Sequence, residues 1–235
     1  EVLGGTVMKA KVAGQYMGSQ LSFSGKAEYE GGSVKVKETQ VDDIHGFISF
    51  TDAEALLSAD AEAAGQQAHV NGKVRYDTGA PYLDLHVASD SFDPSKVLKD
   101  IPYEGAAAVK AHVTGTAADP VADGTVRVAS GTAAGIPFAN ARAHVRYEDG
   151  RVSLQDVAVN AFGGTARGEG VFSPADLTYT AHLAASDIDV QQAAAYVPEL
   201  ADLTGRISCN MGISGKGSDT SDLQAYGSAE LKNGS

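Results

Sequence analysis

Apolar and polar residues alternate with a period of two along most of this chain, and that pattern predicts strands. The clearest stretch runs from Ala161 to Asp187. Ala166, Gly168, Gly170 and Phe172 share one face of its first strand, against Thr165, Arg167, Glu169 and Val171. In its second strand Tyr179, Ala181, Leu183 and Ala185 oppose Thr178, Thr180, His182 and Ala184, with Leu177 assigned to the apolar set. Ser173-Pro174-Ala175-Asp176 between them is turn chemistry. The plan occurs twice. Ala68–Tyr76, a Gly79-Ala80-Pro81 turn and Leu83–Asp90 repeat it, and Ala88-Ser89-Asp90 returns as Ala185-Ser186-Asp187.

The rest of the chain follows suit. Met8, Ala10 and Val12 form one face of an opening strand, and Gly14–Ser19 reads as a turn. Leu21, Phe23, Gly25, Ala27 and Tyr29 form the next face. Glu30-Gly31-Gly32-Ser33 signals a hairpin, with Val34 and Val36 starting the strand after it. Tyr147-Glu148-Asp149-Gly150 matches Tyr29-Glu30-Gly31-Gly32 and is followed by Val152 and Leu154 in the same way. Ile44–Ala64 has no full counterpart in the second copy. Thr51–Ala64 fits two templates: Thr51-x-x-Glu54 is a capping box before Ala-rich helix formers, and Ala55, Leu57, Ala59, Ala61 and Ala63 also alternate as a strand. Context favours the strand. Asp93-Pro94 predicts a short helix to Asp100, and Asp187 or Asp189 one over Ile188–Val197, stopped by Pro198. Leu203–Ile213 is the cleanest alternation of all.

These elements predict an all-β fold in two copies, 1–123 and 124–235, continuous in one sheet. The short helices cannot cover that sheet, so its apolar face is expected to curl into a groove. An elongated, curled antiparallel sheet with an apolar concave interior is the fold class this pattern favours. A sandwich and a β-helix-like adhesin are the alternatives. Shared parity assigns the groove to Val70, Val74, Leu83, Leu85, Val87, Val109 and Val113 in the first copy. In the second it assigns Val145, Phe172, Leu177, Tyr179, Leu183, Leu203, Ile207, Met211 and Ile213.

Composition sharpens this choice. The chain has 235 residues with 27 Gly, 7 Phe and no Trp, so Ala and Gly occupy many inward positions. A sandwich core about 10 Å thick needs large side chains interdigitating from both sides, which argues for a groove holding something apolar. A net charge of −12 disfavours nucleic acid and anionic membrane surfaces. The lone Cys209 sits on an apolar parity as a small filler. No apolar run reaches the roughly 20 residues of a membrane span. Glu1 opens the chain, Gly5-Thr6-Val7 resembles Gly124-Thr125-Val126, and Gly227-Ser228-Ala229 begins a similar element, so a segment of a longer repetitive protein is expected.

Phe162–Phe172, the Leu183–Val190 exit into a helix, Leu203-Thr204-Gly205-Arg206-Ile207 and Leu231-Lys232-Asn233-Gly234 resemble the AsmA-like/TamB superfamily. The resemblance covers most of the chain and is strongest over 141–235. It implies a β-taco crossing the periplasm of a two-membrane bacterium, anchored in the inner membrane. It also implies a path for phospholipid acyl chains, or help in outer-membrane protein assembly by strand templating beside an Omp85-type partner met through a C-terminal part not in this sequence.

No catalytic set, cofactor or metal site is read from the sequence, and a non-enzymatic role is expected. His45, His69, His86, His112, His144 and His182 are far apart in sequence, and the last four lie on polar parities as solvated side chains. Gly163–Gly170 loosely resembles a phosphate loop but lacks the strand–loop–helix context and the Lys-Ser/Thr pair. Asp42-Asp43 and Asp90/Asp93 fit no calcium loop, and Asp93 is explained as a cap.

Overall fold

The computed structural model describes residues 2–234 apart from 19, 37–38, 64, 77–78, 97–102, 134, 197–199 and 218–221. The fold is all-β, an open antiparallel sheet of fifteen strands whose order follows the sequence apart from one short strand. The chain divides into two compact units, 1–99 with 108–122 and 100–107 with 123–235.

The first unit holds β1 (Val2–Met17), β2 (Gln20–Val36), β3 (Thr39–Thr51), β4 (Glu54–Ala63), β5 (Gln66–Arg75) and β6 (Tyr82–Phe92). After the two-residue β7 (Tyr103–Glu104), most of β8 (Ala107–Thr116) belongs to it as well. The second unit contains most of β9 (Pro120–Ala133), β10 (Ile136–Glu148), β11 (Arg151–Ala161), β12 (Gly164–Ser173), β13 (Thr178–Asp189), β14 (Arg206–Lys216) and β15 (Gln224–Lys232). Off the main order, β7 pairs with β9 through Tyr103–Ala133 and Glu104–Thr132.

The stretch after Thr51 resolves as β4 (Glu54–Ala63), entered through a turn, and Ala64 lies outside the described residues. Thr51 Oγ1 accepts from the backbone N–H of Ala53 (3.2 Å) and Glu54 (3.1 Å), so the capping contact forms without a helix. Tyr76 donates its hydroxyl to the Glu54 carbonyl at 3.0 Å and its backbone N–H to Ala53 at 2.9 Å. Ala-rich propensity yields because Ala55, Leu57 and Ala59 have cross-strand partners in Val74, Gly72 and Val70.

Five expectations need correction. Glu30–Ser33 is not a turn: β2 runs through it to Val36, and register shifts between Tyr29 and Gly32 mark a bulge at left-handed Gly31 (φ 68°). β1 likewise runs on to Met17, into the stretch expected to turn. The helix expected over Pro94–Asp100 is a single 3-10 turn, Pro94–Lys96, with Asp93 Oδ1 accepting from Ser95 N–H at 3.0 Å; residues 97–100 lie outside the described set. The second helix is α1 (Val190–Ala194), because Ile188 and Asp189 still belong to β13; Val197 and Pro198 lie outside the described residues. Its cap is Asp189, accepting from Gln191 and Gln192 N–H at 3.0 and 3.2 Å. The last expected strand begins only at Arg206, leaving Leu203 and Thr204 in the approach.

Burial is sparse, as a single layer of small residues dictates. Ala27, Ala55, Ala107, Val128, Ile188, Val190 and Ala193 are the buried apolar residues among those described. Three of them lie in or beside α1, where Val190 is fully enclosed and Asp189 N–H reaches the Phe162 carbonyl at 2.8 Å. Phe162 and Tyr196 rings close that corner at 5.4 Å.

Candidate functional site

Within each unit the strand register collects apolar residues into rows on one face. In the first unit Val12, Gly25, Phe50, Ala55, Val74 and Leu83 form one row. Ala10, Ala27, Ile48, Leu57, Gly72 and Leu85 form the next, and Val70 pairs with Val87 in a third. Val109 and Val113 lie on β8, four residues apart and therefore on a common parity.

The second unit repeats the construction. Phe172 pairs with Tyr179, and Tyr179 with Gly215. Val145, Leu154, Gly170, Ala181 and Ile213 make a second row. Gly168, Leu183, Met211 and Gly227 make a third, and Ile188, Ile207 and Leu231 a fourth. Two assigned residues fall outside the strands. Leu177 is a turn residue in left-handed backbone (φ 60°), because Asp176 accepts from Thr178 N–H and Oγ1 and starts β13 only at Thr178. Leu203 precedes β14, its N–H bonded to the Leu200 carbonyl at 3.0 Å.

The sixteen assigned side chains are all half-buried or exposed. Met211 is 40% and Leu177 50% exposed. Glycines in these rows leave room for large neighbours. A Cβ on Gly25 would meet the Phe50 ring at 2.5 Å, one on Gly215 the Tyr179 hydroxyl at 2.5 Å, and one on Gly168 a Leu183 methyl at 2.8 Å. The glycines are therefore seats for cross-strand side chains lying flat on the sheet.

The opposite face is polar, though Phe47 and Leu56 also emerge there, 56% and 47% exposed. His69 pairs with Asp60 at 2.8 Å, and His144 with Asp123 at 3.0 Å. Arg146 joins Asp123 at 3.6 Å and Glu148 at 2.9 Å; the Glu148 hydrogen bond and charge raise the Arg146 pKa, and the Arg146 hydrogen bond and charge lower that of Glu148. A cleft of about 740 Å³ lies over β10–β15. Its polar lining (Arg142, Arg167, Glu169, His182 and Asn210) belongs to this face, while Val157, Leu183 and Met211 come from the apolar rows. Tyr226 folds over Gly212 there, 6.5 Å edge-on from His182.

Sequence reasoning missed one cluster. His86 and His112, read as separate solvated side chains, stack at 4.4 Å with an interplanar angle of 12° beside Asp84. His112 Nε2 lies 2.8 Å from Asp84 Oδ1, and Lys73 Nζ 3.8 Å from Oδ2. The His112 hydrogen bond, ahead of the Lys73 charge, holds the Asp84 carboxyl below its ordinary range. The i, i+2 spacing of Asp84 and His86 was the available signal; the adjacency of β6 and β8 was not readable from spacing.

No family model, curated protein or solved structure matches the chain.

Proposed function

We propose that this chain carries phospholipid acyl chains along the apolar face of its sheet, as a binding and conducting segment without catalysis. The observation that supports this reading is the set of apolar rows in each unit, continuous across strands and left half-exposed. Seating an acyl chain on such a face is worth about 0.8 kcal/mol per CH₂ buried. Small residues and glycine seats make it smooth, and apolar attraction is non-directional, so a chain can slide along it. The envelope location, in the periplasm between two membranes, and the outer-membrane partner rest on the resemblance of the motifs around 162–190 and 203–207.

Site-specific photocrosslinking tests it. The crosslinking amino acid p-benzoylphenylalanine is placed at Leu85 or Ile213 on the apolar rows, and at Lys73 or Arg146 on the polar face. The chain is then irradiated with vesicles of radiolabelled diacyl phospholipid. Lipid adducts at the first pair and none at the second are expected. Equal labelling of both faces, or none on either, overturns the proposal.

A further inference from the structure

We propose that Asp84, His86 and His112 form a binding site for a zinc ion on the polar face of the first unit. Asp84 and His86 stand two residues apart on β6, so both project from the side opposite Leu83, Leu85 and Val87. β8 brings His112 against them, and Lys73, Asp84, His86 and His112 all lie within one compact unit. One ligand atom from each of the three residues lies within 4.8 Å of the others. Tetrahedral zinc with bonds near 2.0–2.2 Å needs ligand atoms about 3.3 Å apart. Closing that gap requires the two stacked rings, 4.4 Å apart, to fan so that one nitrogen of each converges on the ion.

The donor set selects the metal. Two imidazoles with one carboxylate suit zinc and its transition-metal neighbours, whereas magnesium and calcium require a shell of oxygens that one aspartate cannot supply. Lys73 pairs with Asp84 Oδ2 at 3.8 Å and leaves Oδ1 directed at His112. Such support for a ligating carboxylate fixes its orientation. Three protein ligands on a half-exposed surface leave the fourth position to water, the arrangement of an open site. The ion would clamp β6 to β8 on the face away from the apolar rows, so it is independent of what occupies those rows.

The test is calorimetric titration of the full chain, free of any added histidine tag, with zinc chloride in a non-chelating buffer. One ion per chain with a micromolar dissociation constant is expected. His86→Ala and His112→Ala should each weaken binding at least about tenfold, as losing even an outer-shell partner does, while His182→Ala leaves it unchanged. Melting in EDTA checks folding, and His86→Gln or His112→Gln replaces an alanine variant that melts early. Absence of saturable zinc binding in this titration overturns the proposal. So does binding retained in the His86/His112 double variant, or equal affinity for magnesium.

Discussion

Tyr29-Glu30-Gly31-Gly32 and Tyr147-Glu148-Asp149-Gly150 are nearly the same words with opposite outcomes. The second is a two-residue hairpin turn: Asp149 and Gly150 take successive left-handed conformations (φ 51° and 72°), and Glu148 pairs with Arg151. That is the dihedral pattern favoured between twisted strands. The first is a bulge inside β2, with only Gly31 left-handed, and the strand continues to Val36. Gly-Gly would satisfy the turn as well as Asp-Gly does, so local chemistry does not separate the two. Partners do. Beyond Gly32, β2 finds β1 on one side (Ser33 opposite Gly4, Val34 opposite Val2) and β3 on the other (Val34 opposite Val41). A turn signal is a permission, and the ladder on either side decides whether it is used.

Deleting one residue at each place breaks the comparison most sharply. Removing Gly150 leaves a one-residue loop, so β10 and β11 must slip and turn their side chains to the wrong faces. A loss of at least about 3 kcal/mol is expected. Removing Gly31 takes out the extra residue of a bulge and leaves both ladders in register, so the loss should stay below about 1 kcal/mol. Urea unfolding of the two deletions reads the difference. Equal losses would show that both stretches act as turns.

A milder perturbation is Gly150→Val. No atom lies within 4 Å of a Cβ built at Gly150, so the cost is backbone alone. A β-branched residue held left-handed should lose about 2 kcal/mol, and Gly150→Asn well under half of that. Comparable midpoints for the two variants would mean that the strands, not the dihedrals, carry the turn.

Exchanging the words themselves should do least to the fold. Gly31→Asp writes the turn sequence into β2, and Asp149→Gly writes the bulge sequence into the hairpin. If partner strands decide, each site keeps its structure, with stability changes within about 1 kcal/mol. Amide hydrogen exchange checks this: Val34 should stay protected in Gly31→Asp, since its ladder to Val41 persists. Loss of that protection would restore the local explanation.

The same division marks what was legible in the sequence. Alternation gave the strands where both neighbours are regular, as in β12 and β13, which pair without interruption from Thr165–Ser186 to Ser173–Thr178. It also put Val70, Val74, Leu83, Leu85 and Val87 on one parity, which the register of β5 and β6 makes into rows. Alternation failed at irregular points. Asp43, Asn140, Asp156 and Asp187 are left-handed residues at or beside register shifts, where an extra residue is absorbed. Asp and Asn tolerate that conformation, so isolated acidic or amide residues inside strands were the signal, and they looked like polar-face positions instead. Leu177 and Leu203 fall outside β13 and β14 because a parity count runs on through a strand's end. The His86–His112 stack needed the pairing of β6 with β8, which no local pattern encodes.

The smallest expected effect tests a third connection, the Ser173–Leu177 turn. Here the left-handed residue is Leu177, which gains nothing from that conformation, and Asp176 holds the turn by accepting from Thr178 Oγ1 at 2.8 Å and N–H at 3.2 Å. Hydrogen bonds from Ser173 and then Thr178 lower the Asp176 pKa from 3.8 to about 2. A carboxyl depressed in the folded state adds stability above its unfolded pKa and loses it as pH falls through the folded value. Wild type should therefore melt slightly above Asp176→Asn at neutral pH. The gap should narrow from about pH 4 downward and close near pH 2. Melting curves of both proteins between pH 2 and 7 read this directly, and a gap that widens as pH falls would show that the charge works against the turn.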